Sequence, residues 1–279
     1  MTSITSKPVL ILGGTGKTGR RLAERLAARN IPVRIGSRSA SPAFDWTDKA
    51  SWAGALEDIG AVYISYYPDL AVPGAAEAVG DFARLAVSQG VRRLVLLSGR
   101  GEPEAQHSEE LVKATGADWT ILRCAWFAQN FSESAFLDGL LAGQISVPAA
   151  DVGEPFVDAD DIADVAAEVL SKEGHVGELY ELTGPRLLTF RQAVAEIARA
   201  SGRNIGFSRV SPEEFKAELA AYGTPADIVW LLDELFVRVL DGRNEYLADG
   251  VQRALGREPK DFSVYVRETA ATGVWNTDL

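Results

Sequence analysis

The residues best suited to chemistry in this chain are glycines near its start. Gly13, Gly14, Gly16 and Gly19 follow the apolar run Val9 to Leu12, and Leu22, Ala23, Leu26 and Ala27 then recur at helical spacing. The first three permit a tight turn with no Cβ in the way, and Gly19 lets the following helix pack close to its strand. The first turn of that helix offers N–H groups with no intrahelical acceptor at the positive end of the helix dipole. An anion is the expected occupant. Gly14-x-Gly16-x-x-Gly19, placed after a strand and opening a helix, matches the dinucleotide fingerprint. Gly13, Thr15, Gly16, Lys17, Thr18 and Gly19 are the candidate phosphate-binding residues. Lys17-Thr18 does not make a nucleoside-triphosphate loop, because the spacing to the preceding glycines is too short.

Charge indicates which dinucleotide. An acidic residue about 20 positions on from the glycines binds the ribose hydroxyl of NAD, whereas a basic one accommodates the 2′-phosphate of NADP. The second strand, Val33 to Gly36, runs into Ser37-Arg38-Ser39 with no carboxylate at its tip. Arg38 offers a planar fork of donors and Ser37 a hydroxyl, so both are candidate NADP contacts; the plainer alternative is a solvated surface arginine. Residues 1 to 40 carry a balance of +7, leaving −18 for the rest of a chain whose net charge is −11. An electropositive end on an acidic protein suits a phosphate-rich ligand. NADP(H) is the expected cofactor.

Further candidates stand at the ends of the later strands. Ser65 closes one strand with Tyr66 after it, both candidate cofactor contacts, and Ser98 closes another, near which the nicotinamide ribose is expected. Tyr66, Tyr67, Trp126, Phe127 and Phe131 are candidates for a substrate wall, since aromatic faces attract cations by about 0.5–2 kcal/mol each; Asn130 is a candidate to bond either the substrate or its own backbone neighbours. Trp126 and Phe131 equally suit a packed core. Asp158, Asp160 and Asp161 invite a metal, but their place at a helix start makes capping the expected role. His107 and His175 share no ligand spacing, and no metal is expected. Cys124, inside an apolar run, reads as a buried structural thiol.

These residues need a framework of alternating strands and helices. The pattern predicts a third strand closing at Asp45-Trp46, a helix over 52–58 and a strand over 61–65. A helix over 75–89 follows, stopped by Gly90, then a strand over 93–98, a helix over 109–115 and a strand over 119–124. Such alternation implies a parallel sheet with helices on both faces. Beyond residue 150 helix-start signals dominate: Asp160 or Asp161 before 162–170, Thr189-x-x-Gln192, Ser211-Pro212-Glu213-Glu214, and Thr224-Pro225-x-Asp227 before a helix towards Leu240. The expected architecture is α/β, a Rossmann-type doubly wound parallel sheet with a smaller, mainly helical C-terminal subdomain. The expected division is 1–150 for dinucleotide binding and 151–279 for the substrate side, the latter able to lend a strand to the main sheet. Ligands of such folds bind at the carboxyl ends of the strands, which makes the cleft between the parts the expected substrate site.

Composition excludes other classes. A chain of 279 residues, 47% hydrophobic, can bury a large core. Net charge −11 disfavours nonspecific nucleic-acid binding, which requires clustered Lys and Arg. No apolar stretch has membrane-spanning length, and no signal-peptide core is evident. A single cysteine fits a reducing cytoplasm.

Several spaced segments carry a family resemblance. The glycine turn, Ser37-Arg38, Leu97-Ser98-Gly99, Asp118 to Arg123 followed by Trp126-Phe127-x-x-Asn130, and Phe156-Val157-Asp158-x-x-Asp161-Ile162-Ala163 recur in order across nearly the whole chain. Together they resemble the NmrA-like group of atypical short-chain dehydrogenases/reductases. Within it the chain is similar to bacterial relatives of ergot-alkaloid reductases acting on iminium compounds, and to triphenylmethane-dye and quinone reductases. The resemblance implies that Asp45 and Trp46 border the adenine; the alternative from the residues themselves is a turn aspartate and a packed tryptophan. The group also contains redox-sensing regulators, so the resemblance implies the fold and cofactor but not an activity.

Typical short-chain dehydrogenases use Tyr-x-x-x-Lys as their acid. None of the tyrosines here (63, 66, 67, 180, 222, 246, 265) has lysine four residues later. Some relatives place Lys or His four residues before the glutamate that corresponds to Glu109; that residue is Ala105, and His107, two positions away, is only a weak candidate donor. Acceptors that need little or no acid suit such a site: hydride added to an iminium yields an amine directly, and the product of a quinone or conjugated cation can take any proton it needs from water. Two functions are therefore expected. One is an NADPH-dependent reductase of a small electrophilic, aromatic substrate. The other is a noncatalytic dinucleotide-responsive regulator acting through a protein partner.

Overall fold

A computed structural model describes residues 7–134, 136–148 and 151–277. In chain order the elements are β1 (Val9–Leu12), α1 (Lys17–Ala28), β2 (Val33–Gly36), α2 (Ala50–Ala55), β3 (Ala61–Ile64), α3 (Ala75–Ser88), β4 (Arg93–Gly99), α4 (Pro103–Lys113) and β5 (Asp118–Cys124). Then follow α5 (Asn130–Glu133), α6 (Leu137–Ala142), β6 (Gln144–Val147), β7 (Gly153–Glu154), α7 (Ala159–Ser171), β8 (Glu178–Leu182), β9 (Leu188–Thr189) and α8 (Phe190–Ser201). The chain finishes with β10 (Gly206–Arg209), α9 (Pro212–Ala221), α10 (Ala226–Asp233), a π-helical segment (Glu234–Val239), α11 (Gly250–Leu255) and α12 (Phe262–Ala271).

The first compact unit comprises 1–124, 159–182 and 249–258. Its sheet has the order β2-β1-β3-β4-β5-β8, every neighbouring pair parallel. β1 and β3 are buried at every residue, as strands covered on both faces must be. From β1 the chain steps to β2 on one side and then to β3 on the other, so strand order reverses between β1 and β3. Val79, Phe82, Ala83 and Ala86 form the inward face of α3, and Gly90 stops the chain there at φ +89°. The helices α1 and α7 are tied together by charge: Arg25 holds Asp160 and Asp164, and Arg29 donates to the Ala167 carbonyl at 2.8 Å.

The second unit comprises 125–158, 183–248 and 259–279. It holds two short sheets, β10-β6 parallel and β7-β9 antiparallel. Its core is aromatic, with Phe131, Phe136, Phe156, Phe190, Phe236, Phe262 and Trp275 all buried. Thr189 and Ser211 form the capping boxes of α8 and α9 that their sequences require. The turns of α10 continue into the π-helical segment before Leu240.

Several expectations change. The expected boundary at residue 150 lies outside the described residues, and the units are discontinuous rather than sequential. The physical reason is β8, which pairs Glu178–Leu182 with Thr120–Cys124 and draws α7 and α11 into the first unit. No third strand closes at Asp45-Trp46; that segment turns, with one bridge between Asp45 and Asp48. The helix expected from 109 begins at Pro103, because proline suits a first helical turn. Ala27 of α1 is exposed. Asp160 and Asp161 sit inside the first turn of α7 and bind arginines, Arg25 and Arg257 respectively, at 2.8 and 2.7 Å.

Candidate dinucleotide site

The site is built where parallel strands end together. Gly13 follows β1, Ser37 follows β2 and Ser65 follows β3; the shared register brings these exits to one edge of the first unit, at the reversal of strand order. Gly13 has φ +65°, and a Cβ on it would meet Ser65 Cβ at 3.3 Å. The Gly16 amide donates to the Gly13 carbonyl at 2.9 Å and closes the turn. A Cβ on Gly19 would overlap the Gly13 carbonyl oxygen and come within 2.7 Å of Gly14 Cα. Thus α1 starts directly against the turn. Gly13, Thr15 and Gly16 are exposed over a buried strand, and Thr18 and Gly19 lie in the first turn of a helix with Gly16 as its cap. A cradle without side chains, beside helical N–H groups, fits a pyrophosphate.

The flanks of this cradle are unequal. Arg38 is exposed beyond β2, and its charge helps lower the Asp45 carboxyl; the larger causes there are hydrogen bonds from the Thr47 amide and hydroxyl, at 2.9 and 2.8 Å. Asp45 is therefore engaged in its own turn. Most basic residues of the first segment serve the fold: Arg21 and Arg25 bind Asp160, and Arg34 donates to the Ala55 and Glu57 carbonyls. Ser37 Oγ lies 3.3 Å from Ser39 Oγ. Trp46 donates to the Ser65 carbonyl at 3.2 Å and packs on Tyr66 with ring centroids 4.9 Å apart.

Two candidates have side chains turned inward. Thr18 is buried and accepts the Tyr63 hydroxyl at 3.0 Å, so only its backbone faces the turn. Ser98 is buried and donates to Glu109 at 2.7 Å. Glu109, fully buried, is also bound by Arg123, which reaches Glu181 at 3.3 Å. His107 stands on the exposed side of α4, whereas Ala105, Ser108 and Glu109 face inward. Cys124 is buried, which pushes its thiol up.

The aromatic candidates divide. Tyr67, in the first unit, is 73% exposed. Trp126, Phe127 and Asn130 belong to the second unit. Trp126 is half-buried against Phe136, Phe190 and Phe236, its amide held by Glu154 at 3.0 Å, so its packing is that of a core residue. Phe127 bridges to Val157, and Asn130 starts α5.

One arrangement escaped the sequence reading. Asp69, in the loop after β3, accepts the Ala71 amide at 2.9 Å and has its carboxyl raised by burial, and Glu102 stands at the cap of α4. The loop compositions gave no motif to mark them; a glycine at the end of β4 was the only local signal.

Sheet order, glycine turn and exposed cradle define a doubly wound dinucleotide-binding protein. The chain belongs to the NAD(P)H-binding family, whose model matches residues 13–173, more than half of its length. It is 32% identical over 290 residues to agroclavine dehydrogenase of Claviceps fusiformis, covering 96% of this chain and 98% of that one. Among solved structures, the NADPH-dependent quinone oxidoreductase QOR2 of Escherichia coli, complexed with NADPH, superposes with TM-score 0.79 at 23% identity, covering 93% and 99% of the two chains. The Citrobacter triphenylmethane reductase complexed with NADP(H) gives 0.74 at 18%, covering 94% and 99%. No helix among the described residues is long and apolar enough to cross a membrane.

Proposed function

We propose that the protein is an NADPH-dependent reductase of small electrophilic acceptors: iminium ions, quinones or conjugated cations. The observation that carries this reading is the glycine turn, where Gly13, Thr15 and Gly16 are exposed after β1, Gly19 packs directly on the turn and Arg38 is exposed beyond β2. Likeness to agroclavine dehydrogenase over nearly the full length supports reduction as the activity, and the quinone and triphenylmethane reductases of the same fold suggest the acceptor range. Gly13, Thr15, Gly16, Gly19 and the backbone of Lys17 and Thr18 hold the pyrophosphate; Arg38 and Ser37 hold the 2′-phosphate. Trp46, Ser65 and Tyr66 border the nucleotide. When bound, NADPH supplies hydride. The chain contributes orientation, with Tyr67 the candidate substrate contact in the unit that carries the glycine turn.

The test is NADPH oxidation against a panel of quinones, cyclic iminium salts and cationic dyes. Turnover with at least one class is the expected result. Silence across the panel with tight NADPH binding intact would refute the reductase and favour the dinucleotide-responsive regulator. A regulator must then bind the oxidised and reduced cofactors with different affinity, since a ligand shifts states only through differential binding.

A further inference from the structure

The glycine turn can hold a pyrophosphate only if the start of α1 stands at a fixed place above it, and α1 lacks a side chain that would fix its own start. α8, α9 and α12 are capped by the side chains of Thr189, Ser211 and Asp261, which accept amides of their first turns. α1 begins at Gly16, which has no side chain to do so. A cap would also occupy amides that the cradle offers to an anion. The start of α1 must therefore be held from the side.

Tyr63 is placed to hold it. It lies in β3 among Ala61, Val62 and Ile64, opposite Ile11 of β1, and is fully buried. Its hydroxyl donates to Thr18 Oγ1 at 3.0 Å, and Thr18, also buried, is the second residue of α1. Ser65, two residues on and just past the strand, has its Oγ 3.3 Å from where a Cβ on Gly13 would lie. Alternate residues of a strand share a face, so Tyr63 and Ser65 both reach towards the turn, Tyr63 from deeper in the sheet. A phenylalanine would fill the same space, so packing does not account for the hydroxyl. Buried without a partner, that hydroxyl would destabilise the fold. Burial pushes it up, so at neutral pH it keeps its proton and remains a donor. Gly19, the next residue of α1, packs directly on the Gly13 carbonyl. The first turn of α1 is thus held to the exit of β1 through Gly19 and to β3 through Thr18, and two contacts on different strands fix a helix start in direction as well as in height.

Resting on the placement of the pyrophosphate at the glycine turn, we infer that Tyr63 is a positioning residue for the cofactor: its hydroxyl holds Thr18, and with it the first-turn amides of α1 that bind the pyrophosphate of NADPH. Being fully buried, Tyr63 itself touches neither cofactor nor substrate. The adenosine 2′-phosphate end belongs beside Arg38, beyond β2, where the Tyr63 hydroxyl does not reach. The hydroxyl therefore governs the pyrophosphate contacts and leaves that other end of the cofactor alone.

The experiment uses the full chain with Tyr63→Phe, Thr18→Val, the two together, and Thr18→Ser. NADPH is titrated by fluorescence, and adenosine 2′-phosphate, which has no pyrophosphate, by calorimetry. Tyr63→Phe and Thr18→Val should each raise the NADPH dissociation constant by about 3- to 10-fold, the worth of one buried hydrogen bond, and leave adenosine 2′-phosphate binding unchanged. The double variant should lose no more than either single one, because both remove the same bond, and Thr18→Ser should bind as the wild type does. With an acceptor that the wild type reduces, the KM for NADPH should rise by the same factor while kcat holds. Unchanged NADPH affinity in Tyr63→Phe overturns the proposal even if urea unfolding shows lost stability, because the hydroxyl then serves the fold alone. Equal weakening of both ligands overturns it too, as do losses that add in the double variant. Should Tyr63→Phe not fold, Thr18→Val against Thr18→Ser decides by the same two titrations. A wild type that does not bind NADPH refutes the placement of the cofactor and the proposal with it. A wild type that binds NADPH but reduces no acceptor refutes only the reductase, and the titrations still decide the role of Tyr63.

Discussion

Replacing Gly19 by alanine adds one methyl group at the tightest point of the cradle. The new Cβ would overlap the Gly13 carbonyl oxygen and lie 2.7 Å from Gly14 Cα and 2.8 Å from the Gly13 carbonyl carbon. All three atoms are backbone, so no side chain can rotate away. Ordinary contact begins near 3.4 Å, so turn and helix must separate by about 1 Å at the Gly13 carbonyl oxygen, enough to misplace every donor aimed at a pyrophosphate. The expected loss of stability is about 1–3 kcal/mol, the usual cost of forcing atoms into a filled space. The expected loss of NADPH affinity is on the order of 100-fold, by analogy with other displacements of about 1 Å at a site. Gly54→Ala is the matched control: inside α2 its Cβ would meet only Pro42, at 3.7 Å, and helix propensity favours alanine by up to about 1 kcal/mol. Urea unfolding and NADPH fluorescence titration measure both quantities. If Gly19→Ala binds NADPH as tightly as the wild type, the turn is not the pyrophosphate site and the reasoning fails.

Arg38→Ala should erase a preference for NADPH over NADH by roughly 10–100-fold, the worth of charge-assisted phosphate bonds, with NADH binding unchanged in parallel titrations. Arg123→Ala removes the cation from fully buried Glu109 and should cost about 3–5 kcal/mol in urea unfolding, part of which Glu109→Gln in the same chain should restore. Arg186 holds Asp261 at 2.7 Å and, with the Ser263 amide, keeps that carboxyl well below its usual range. The folded state therefore binds that proton less readily than the unfolded one. This contribution is present above the ordinary carboxylate pKa and is lost as pH falls through the depressed one. Asp261→Asn should be less stable at neutral pH and show a flatter decline in thermal melts between about pH 4 and 2.

The sequence by itself determined the parts that depend on neighbours along the chain. Val9–Leu12 and Ala61–Ile64 are uniformly apolar because a parallel strand is covered on both faces. The glycines are fixed by a turn only a few residues long, and Thr189 and Ser211 cap helices through residues three positions away. Local rules also failed locally: Asp45-Trp46 looked like the end of a strand, but the Asp45 carboxylate is satisfied by Thr47 two residues on. Only tertiary structure decided which face each site residue shows. Thr18 and Ser98 sit at the right strand and helix ends, yet Tyr63 and Glu109, distant in sequence, take their hydroxyls inward. Three of the eight basic residues in 1–40, Arg21, Arg25 and Arg29, are likewise matched by acids of α7, more than 130 residues away. Asp69 and Glu102 are 33 residues apart with no motif between them, and parallel pairing of β3 with β4 is what brings their loops to one edge. Strand order cannot be read from composition, because it is chosen by which buried faces and backbone ladders pair once the chain has folded. The glycine turn was therefore legible from residue types alone, while the meeting of the loops after β1, β3 and β4 at one edge exists only because of the order of strands in the sheet.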